Sequence, residues 1–154
     1  MSIEPIKWNE HTAYLVSQRA YLLHTEGHYH ESLALFEGLL EIYPDDLYYR
    51  DAISALHLSL KNPEEAIRHA SSIIAAAPTY ANAFVRRCEG YLSLGMIDEA
   101  ELDLERLREL RAYGQVRRME MRITASKRIQ MLQANQRLEK VKTSNTQLYR
   151  GGQR

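Results

Sequence analysis

The sequence predicts an all-α protein made of three consecutive helix–turn–helix units and one further helix. The first observation behind this is a recurrent spacing. Pro44 and Pro78 lie 34 residues apart, as do Ser32, Ala66 and Ala100 in succession, and Lys61 sits midway between Gly27 and Gly95. The second is that these registers agree. In each unit a small residue follows the turn position by five places, and Pro (Ala112 in the last unit) follows the small residue by twelve. The third is that 7 Gly and 4 Pro in 154 residues are few, as a mostly helical chain requires. A period in this range marks stacked supersecondary units. The units are 13–46, 47–80 and 81–114, after an N-terminal segment 1–12 and before a C-terminal segment.

Residues 1–8 carry Pro5 and an isolated Trp8, which is expected to pack on the first helix because Trp buries a large area wherever it can. Asn9 is placed to cap a helix that runs to about Glu26 and ends at Gly27. The second helix spans about Tyr29–Tyr43, with Leu33, Phe36, Leu39 and Leu40 on one stripe, and Pro44 stops it. Gly38 inside it costs about 1 kcal/mol against Ala, and close packing of a neighbouring helix would compensate. Asp45 or Asp46 caps a third helix reaching about Leu60. Asn62-Pro63-Glu64-Glu65 combines a cap residue, Pro at the first helical position and acids in the first turn, so a fourth helix starts there and runs to about Ala76. The fifth spans about Tyr80–Leu94. The sixth starts near Ile97, with Asp98 and Glu101 in capping-box spacing, and ends at Gly114 through Arg108 and Arg111.

Three units are about the minimum for a stable stack, and terminal units need a cap. Residues 115–142 supply one as a basic helix. Val116, Met119 and Ile123 share one face, while Met121, Ala125, Ile129 and Leu132 share nearly the opposite one. A cap needs one apolar face, so the second is a candidate interface for a partner or a second copy. Residues 143–154 are polar and end in Gly151-Gly152-Gln153-Arg154, which reads as a disordered tail.

A hydrophobic fraction of 45% with 26% charged residues is ordinary globular composition. The zero formal charge hides a polarity. Residues 1–110 hold 9 Lys/Arg against 18 Asp/Glu, and residues 111–154 hold 11 Lys/Arg against Glu120 and Glu139. The lone Cys88 excludes an internal disulfide and a cysteine metal cluster, which fits a reducing, cytoplasmic setting. Residues 1–10 lack the pattern of a signal peptide, and no run approaches the roughly 18 apolar residues of a membrane span. His24, His28 and His30 straddle the Gly27 turn, and no Cys or carboxylate completes a site with them, so no metal is expected. There is no phosphate loop or nucleophile elbow, and Cys88 in a small-residue slot reads as a packing thiol. The chain is expected to be a non-enzyme without a cofactor.

The 34-residue period, the small residues at fixed offsets and the closing Pro resemble the tetratricopeptide repeat (TPR). The resemblance covers about two thirds of the chain. It implies a right-handed superhelical stack with a C-terminal capping helix. It also implies a concave groove lined by the second, fifth, ninth and twelfth residues of each repeat. Here these are Tyr14, Ser17, Tyr21 and His24; Tyr48, Asp51, Ala55 and Leu58; and Asn82, Val85, Glu89 and Leu92. TPR modules that grip the acidic C-termini of heat-shock chaperones place Lys, Arg and Asn at such positions, and only Asn82 is of that kind. A groove of Tyr, Leu, Val and His suits an apolar or amphipathic peptide.

Three repeats, an extra C-terminal helix and an apolar groove resemble the small TPR chaperones of bacterial type III secretion. So does the local texture Gly27-His28-Tyr29-His30-Glu31-Ser32 to Pro44 and Arg86-Arg87 to Leu94-Gly95. This resemblance implies a cytoplasmic chaperone holding a secretion subunit; the long basic tail departs from the compact members. Two other readings stand beside it. One is an adaptor assembling a protein complex. The other is a binder of nucleic acid or membrane surface through the basic tail, against which the tail offers only Tyr113 and Tyr149 as aromatics and no recognition motif.

Overall fold

The computed structural model describes the backbone of residues 8–151 and the side chains of residues 8–143. The described residues form seven helices and no strand: α1 (Glu10–Thr25), α2 (Tyr29–Ile42), α3 (Leu47–Ser59), α4 (Pro63–Ala76), α5 (Ala81–Ser93), α6 (Ile97–Glu109) and α7 (Tyr113–Gly151). Three helix pairs thus occupy the three predicted units. Asn9 Oδ1 accepts from the Thr12 amide at 2.8 Å and starts α1. Asp46 Oδ1 accepts from the Tyr48 and Tyr49 amides at 2.8 and 3.1 Å and starts α3. Trp8 does not bury against α1 but stays 50% exposed.

Two expected caps do not form. Asn62 occupies the N-cap of α4 without a side-chain hydrogen bond, so Pro63 and the first-turn acids start that helix. The N-cap of α6 is Met96, whose side chain offers no acceptor, and Asp98 is the second residue of the helix, so the Glu101 amide three places on is already in the helical ladder and no capping box closes. Glu101 turns instead to Lys127 Nζ at 2.6 Å. Gly114 does not end α6. That helix stops at Glu109, Arg111 takes the left-handed turn at φ +56°, and Gly114 falls in the first turn of α7.

The turns share one geometry. Gly27, Lys61 and Gly95, all at the fifteenth place of their repeats, have φ of +86°, +63° and +75°. The amide that follows each bonds back five residues, from His28 to Leu23, Asn62 to His57 and Met96 to Tyr91, at 2.8, 2.9 and 2.9 Å. This is the Schellman closure that uses up otherwise orphaned helix-end carbonyls.

The paired helices are joined at one repeated contact. The eighth and twentieth residues of each repeat (Ala20 and Ser32, Ser54 and Ala66, Cys88 and Ala100) are all 0% exposed. Ser32 Oγ donates to the Ala20 carbonyl at 2.7 Å, Ser54 Oγ to that of Ala66 at 2.9 Å, and Cys88 Sγ to that of Ala100 at 3.6 Å. Small residues let the backbones approach, and the polar ones spend their hydrogen on the facing helix. The second close approach is not at Gly38, which has open space around its Cα, but at Gly90, where a Cβ would sit 2.6 Å from Ile67 Cγ1.

Each helix packs on the next, and α3 also packs on α5, and α5 on α7. Phe36, Leu39, Ile53 and Leu56 anchor one core cluster. Phe84, Val85, Leu104, Leu107, Met119 and Ile123 anchor another that includes α7. Met119 and Ile123 are 0% and 3% exposed, so this face caps the stack, while Met121, Ile129 and Leu132 on the other face are 67%, 55% and 55% exposed. The helix α7 is longer than expected, 39 residues or about 58 Å. Its backbone stays helical from 143 to Gly151 where a disordered tail was expected. No Pro or Gly interrupts 144–150, and extending an anchored helix costs far less than nucleating one. Residues 152–154 of that tail, and residues 1–7, lie outside the described residues.

Candidate peptide groove

The inner wall of the stack is formed by α1, α3, α5 and the first part of α7. The twelve expected groove positions fall into three classes of exposure. Position two of each repeat is at the rim: Tyr14 and Tyr48 are 57% and 49% exposed, and Asn82 is exposed as well. Positions nine and twelve form the walls, with Tyr21 exposed and His24, Ala55, Leu58, Glu89 and Leu92 half-buried. Position five corrects the expectation. Ser17, Asp51 and Val85 are all buried, at 6%, 7% and 1% exposure, Asp51 beneath Arg86 of α5 and Val85 among the core residues of α6 and α7. Ser17 Oγ is spent on the Tyr14 carbonyl at 2.8 Å, and Val85 joins the core cluster beside α6 and α7. Neither can touch a ligand, and Asp51 reaches the groove only as part of its floor.

A cavity of about 130 Å³ opens where α1, α2, α3 and α5 meet, lined by Tyr21, His24, Phe36, Tyr48, Asp51, Ala52, Ala55, Leu56 and Arg86. That volume is close to an apolar cavity that accepts benzene, so it has room for one large apolar side chain. The Tyr48 ring meets Phe36 edge-on at 6.1 Å and Tyr49 at 5.8 Å, which holds it upright at the mouth. Burial, and then the neighbouring Tyr21, Asp51 and Asp46, raise the Tyr48 hydroxyl above its ordinary value, so it is a neutral donor. His24 Nε2 lies 3.2 Å from Ser59 Oγ on α3, and its ring meets Tyr29 at 5.5 Å. Burial, followed by the charge of Arg86, lowers the His24 value, so the imidazole is neutral at pH 7.

Sequence reasoning missed Arg86. It stands one place beyond the fifth residue of its repeat, and the groove was expected to hold no Lys or Arg. Arg86 Nε and an NH₂ group lie 3.2 and 3.4 Å from the two Asp51 oxygens, and its other NH₂ lies 3.7 Å from Glu89, which also pairs with Arg122 of α7. The charges on the groove floor therefore cancel in place. An incoming carboxylate would have to break Arg86 away from a buried partner. Two shallower hollows continue the groove between the end of α5 and α7. One brings Leu92 against Ala125, and the other brings it against Ile129. Two residues of the candidate α7 interface thus border the groove, while Met121 and Leu132 point away from these hollows.

The thiol of Cys88, pushed up to about 12 by burial, is held off nucleophilic duty. No helix among the described residues is long and apolar enough to cross a membrane.

No protein-family model matches the chain. A curated relative, the TPR repeat-containing thioredoxin TTL4 of Arabidopsis thaliana, is 28% identical over 89 residues; the match covers 58% of this chain and 13% of that protein. Among solved structures, PcrH from Pseudomonas aeruginosa superposes with a TM-score of 0.71 at 20% identity, covering 79% of this chain and 96% of that one. PcrH in complex with the chaperone binding region of PopB gives 0.69 at 20% identity, over 75% and 97% of the chains. The first TPR of Spaghetti (RPAP3) bound to the HSP90 peptide SRMEEVD gives 0.63 at 19% identity, over 78% and 99%. The chain therefore has the tetratricopeptide repeat fold: all-α, three helix pairs in a right-handed superhelical stack, closed by a capping helix.

Proposed function

We propose that this chain is a non-catalytic, cytoplasmic chaperone that holds an apolar or amphipathic segment of another protein, a type III secretion subunit, in its TPR groove. The observation that carries this reading is the cavity between Tyr21, Phe36, Tyr48 and Ala55, apolar in its walls and charge-neutral in its floor. A pocket in the wall of a groove, rimmed by half-exposed Tyr, is the kind of place that takes an anchoring side chain and gives a hot spot. PcrH, which this chain resembles in fold, has been seen with the chaperone binding region of PopB, and that supports the reading. The compensated Arg86 speaks against capture of an acidic C-terminus of the kind seen on RPAP3.

The test is binding of labelled apolar peptides in extended form, with SRMEEVD as the acidic comparison. An apolar peptide should bind in the micromolar range and Tyr21→Ala with Tyr48→Ala should weaken it by 30-fold or more, about 2 kcal/mol. Preference for SRMEEVD, or indifference to the double substitution, would refute the site.

An adaptor role is the second reading, favoured by α7. Met121, Ile129 and Leu132 are exposed beside Arg117, Arg118, Arg122, Lys127 and Arg128, and an apolar seam bordered by charge suits a helix–helix contact with a partner or a second copy. Nucleic acid and membrane surface fit less well. The near half of α7 is engaged with the body of the same molecule through Glu120 to Arg108, Arg122 to Glu89 and Lys127 to Glu101.

A further inference from the structure

The second repeat carries a cluster away from the groove. His57 of α3 and Glu65 and His69 of α4 each bring one ligand atom to within 4.8 Å of the others. Glu65 and His69 are four residues apart on one helix face, and His57 meets them across the helix pair. The two imidazoles lie nearly parallel, with centroids 5.3 Å apart and planes 16° apart.

Two features of the cluster need an explanation. His57 Nδ1 is shielded from solvent and has no hydrogen-bond partner, an arrangement that costs stability unless a ligand repays it. The remaining two ligands are held by a single cation. Arg68 donates to Glu65 Oε2 from Nε at 2.9 Å and from an NH₂ group at 2.5 Å, and that NH₂ lies 3.0 Å from His69 Nε2. A positive charge already sits against the acceptors that a metal ion would use, on a side chain that is 64% exposed.

The repeat itself shows that the cluster is not required by the fold. The places of His57, Glu65 and His69 are filled by Leu23, Glu31 and Leu35 in the first repeat, and by Tyr91, Glu99 and Asp103 in the third. Only the second repeat puts two imidazoles there.

We propose that His57, Glu65 and His69 form a zinc site that pins α3 to α4. Two imidazole nitrogens and one carboxylate oxygen are a zinc donor set with water completing the tetrahedron, whereas calcium and magnesium take oxygen ligands. Tetrahedral bonds of about 2.0–2.2 Å place ligand atoms roughly 3.4 Å apart, so the side chains draw in by about 1 Å and Arg68 leaves.

The test uses the full chain without an affinity tag. Calorimetry with Zn²⁺ should give one site of micromolar affinity or better, and Co²⁺ should give the intense visible absorption of a tetrahedral complex. His57→Leu and His69→Leu, which copy the residues of the first repeat, should each weaken Zn²⁺ binding at least tenfold. Arg68→Ala leaves the core untouched and should tighten it several-fold. Affinity weaker than 100 µM, or affinity unchanged in both Leu variants, would overturn the proposal. So would an Arg68→Ala variant that binds no better than wild type.

Discussion

Filling the groove cavity separates a binding site from a packing defect, and Ala55→Phe is the substitution that does it. Ala55 lies on α3, half-buried, with its methyl group facing the space of about 130 Å³ enclosed by Tyr21, His24 and Tyr48. A Phe there can occupy most of that volume. Burying a Phe side chain stabilises by about 1.5–3 kcal/mol, and lower helix propensity takes back about 0.5. Adjusting Tyr48 takes back a similar amount, leaving a gain of about 1 kcal/mol. The same ring blocks the pocket, so peptide affinity should fall by 30-fold or more, about 2 kcal/mol. Urea unfolding followed by circular dichroism reads the first effect, and fluorescence anisotropy with the apolar peptide reads the second. Stability up and affinity down together identify a preformed binding pocket. A destabilised variant would mean that the space is closed in solution. A stabilised variant that still binds would move the site to the hollows between α5 and α7.

Lys61 adopts φ +63°, where the equivalent Gly27 and Gly95 carry no Cβ strain, so Lys61→Gly should stabilise by about 0.5–1 kcal/mol and Gly95→Ala should destabilise by about 1, both read in urea. His69, held at about 4 mainly by burial and then by Arg68 and His57, binds its proton more weakly folded than unfolded. In metal-free buffer, stability should be full above pH 6.5 and fall by about 2 kcal/mol on acidification toward pH 4, and His69→Leu should flatten that fall in pH-dependent unfolding. Ile129→Asp with Leu132→Asp should abolish association through α7 and leave the melting temperature unchanged, since both side chains are more than half exposed; light scattering that finds wild type and variant equally monomeric, with partner binding intact, would remove the seam as an interface.

The fold was legible because it is over-determined by its repeat. Ser32, Ala66 and Ala100 recur at a spacing of 34, and the structure uses each at the same backbone approach. The exposure of Tyr14, Tyr48 and Asn82 follows from the same repeat, since all three hold its second position. Position five was not, because whether Ser17, Asp51 and Val85 face a ligand or a neighbouring helix depends on how closely the stack closes, and no single repeat encodes that angle. Arg86 escaped notice because its backbone position points between the expected faces and only its length brings the guanidinium to Asp51. The His57, Glu65 and His69 cluster was hidden by topology. The Glu65–His69 interval is visible in sequence, but the third member comes from the facing helix, while the more conspicuous His24, His28 and His30 are divided by the turn.

The helix α7 shows where periodicity ends and placement begins. Its apolar residues divide into two faces by helical spacing alone, yet only the docking of Met119 and Ile123 beside α5 and α6 decides which face is consumed. The helix lies against α5 as a further first helix of the stack would, so the repeats end on a packed surface. Its acidic and basic pairings with the body, through Glu120, Arg122 and Lys127, all fall within the segment that packs. From Arg128 to Thr143 every residue is exposed, and that stretch holds Met131, Leu132, Leu138 and Val141 together with Arg128, Arg137 and Lys140. The acidic surface of residues 1–110 thus neutralises only the near half of a basic helix. What remains is cationic and apolar, and an acidic amphipathic helix complements it in both respects. Under the function proposed above, a client would occupy the groove and this far stretch of α7 would offer a second, electrostatically distinct surface, the two meeting at Ile129.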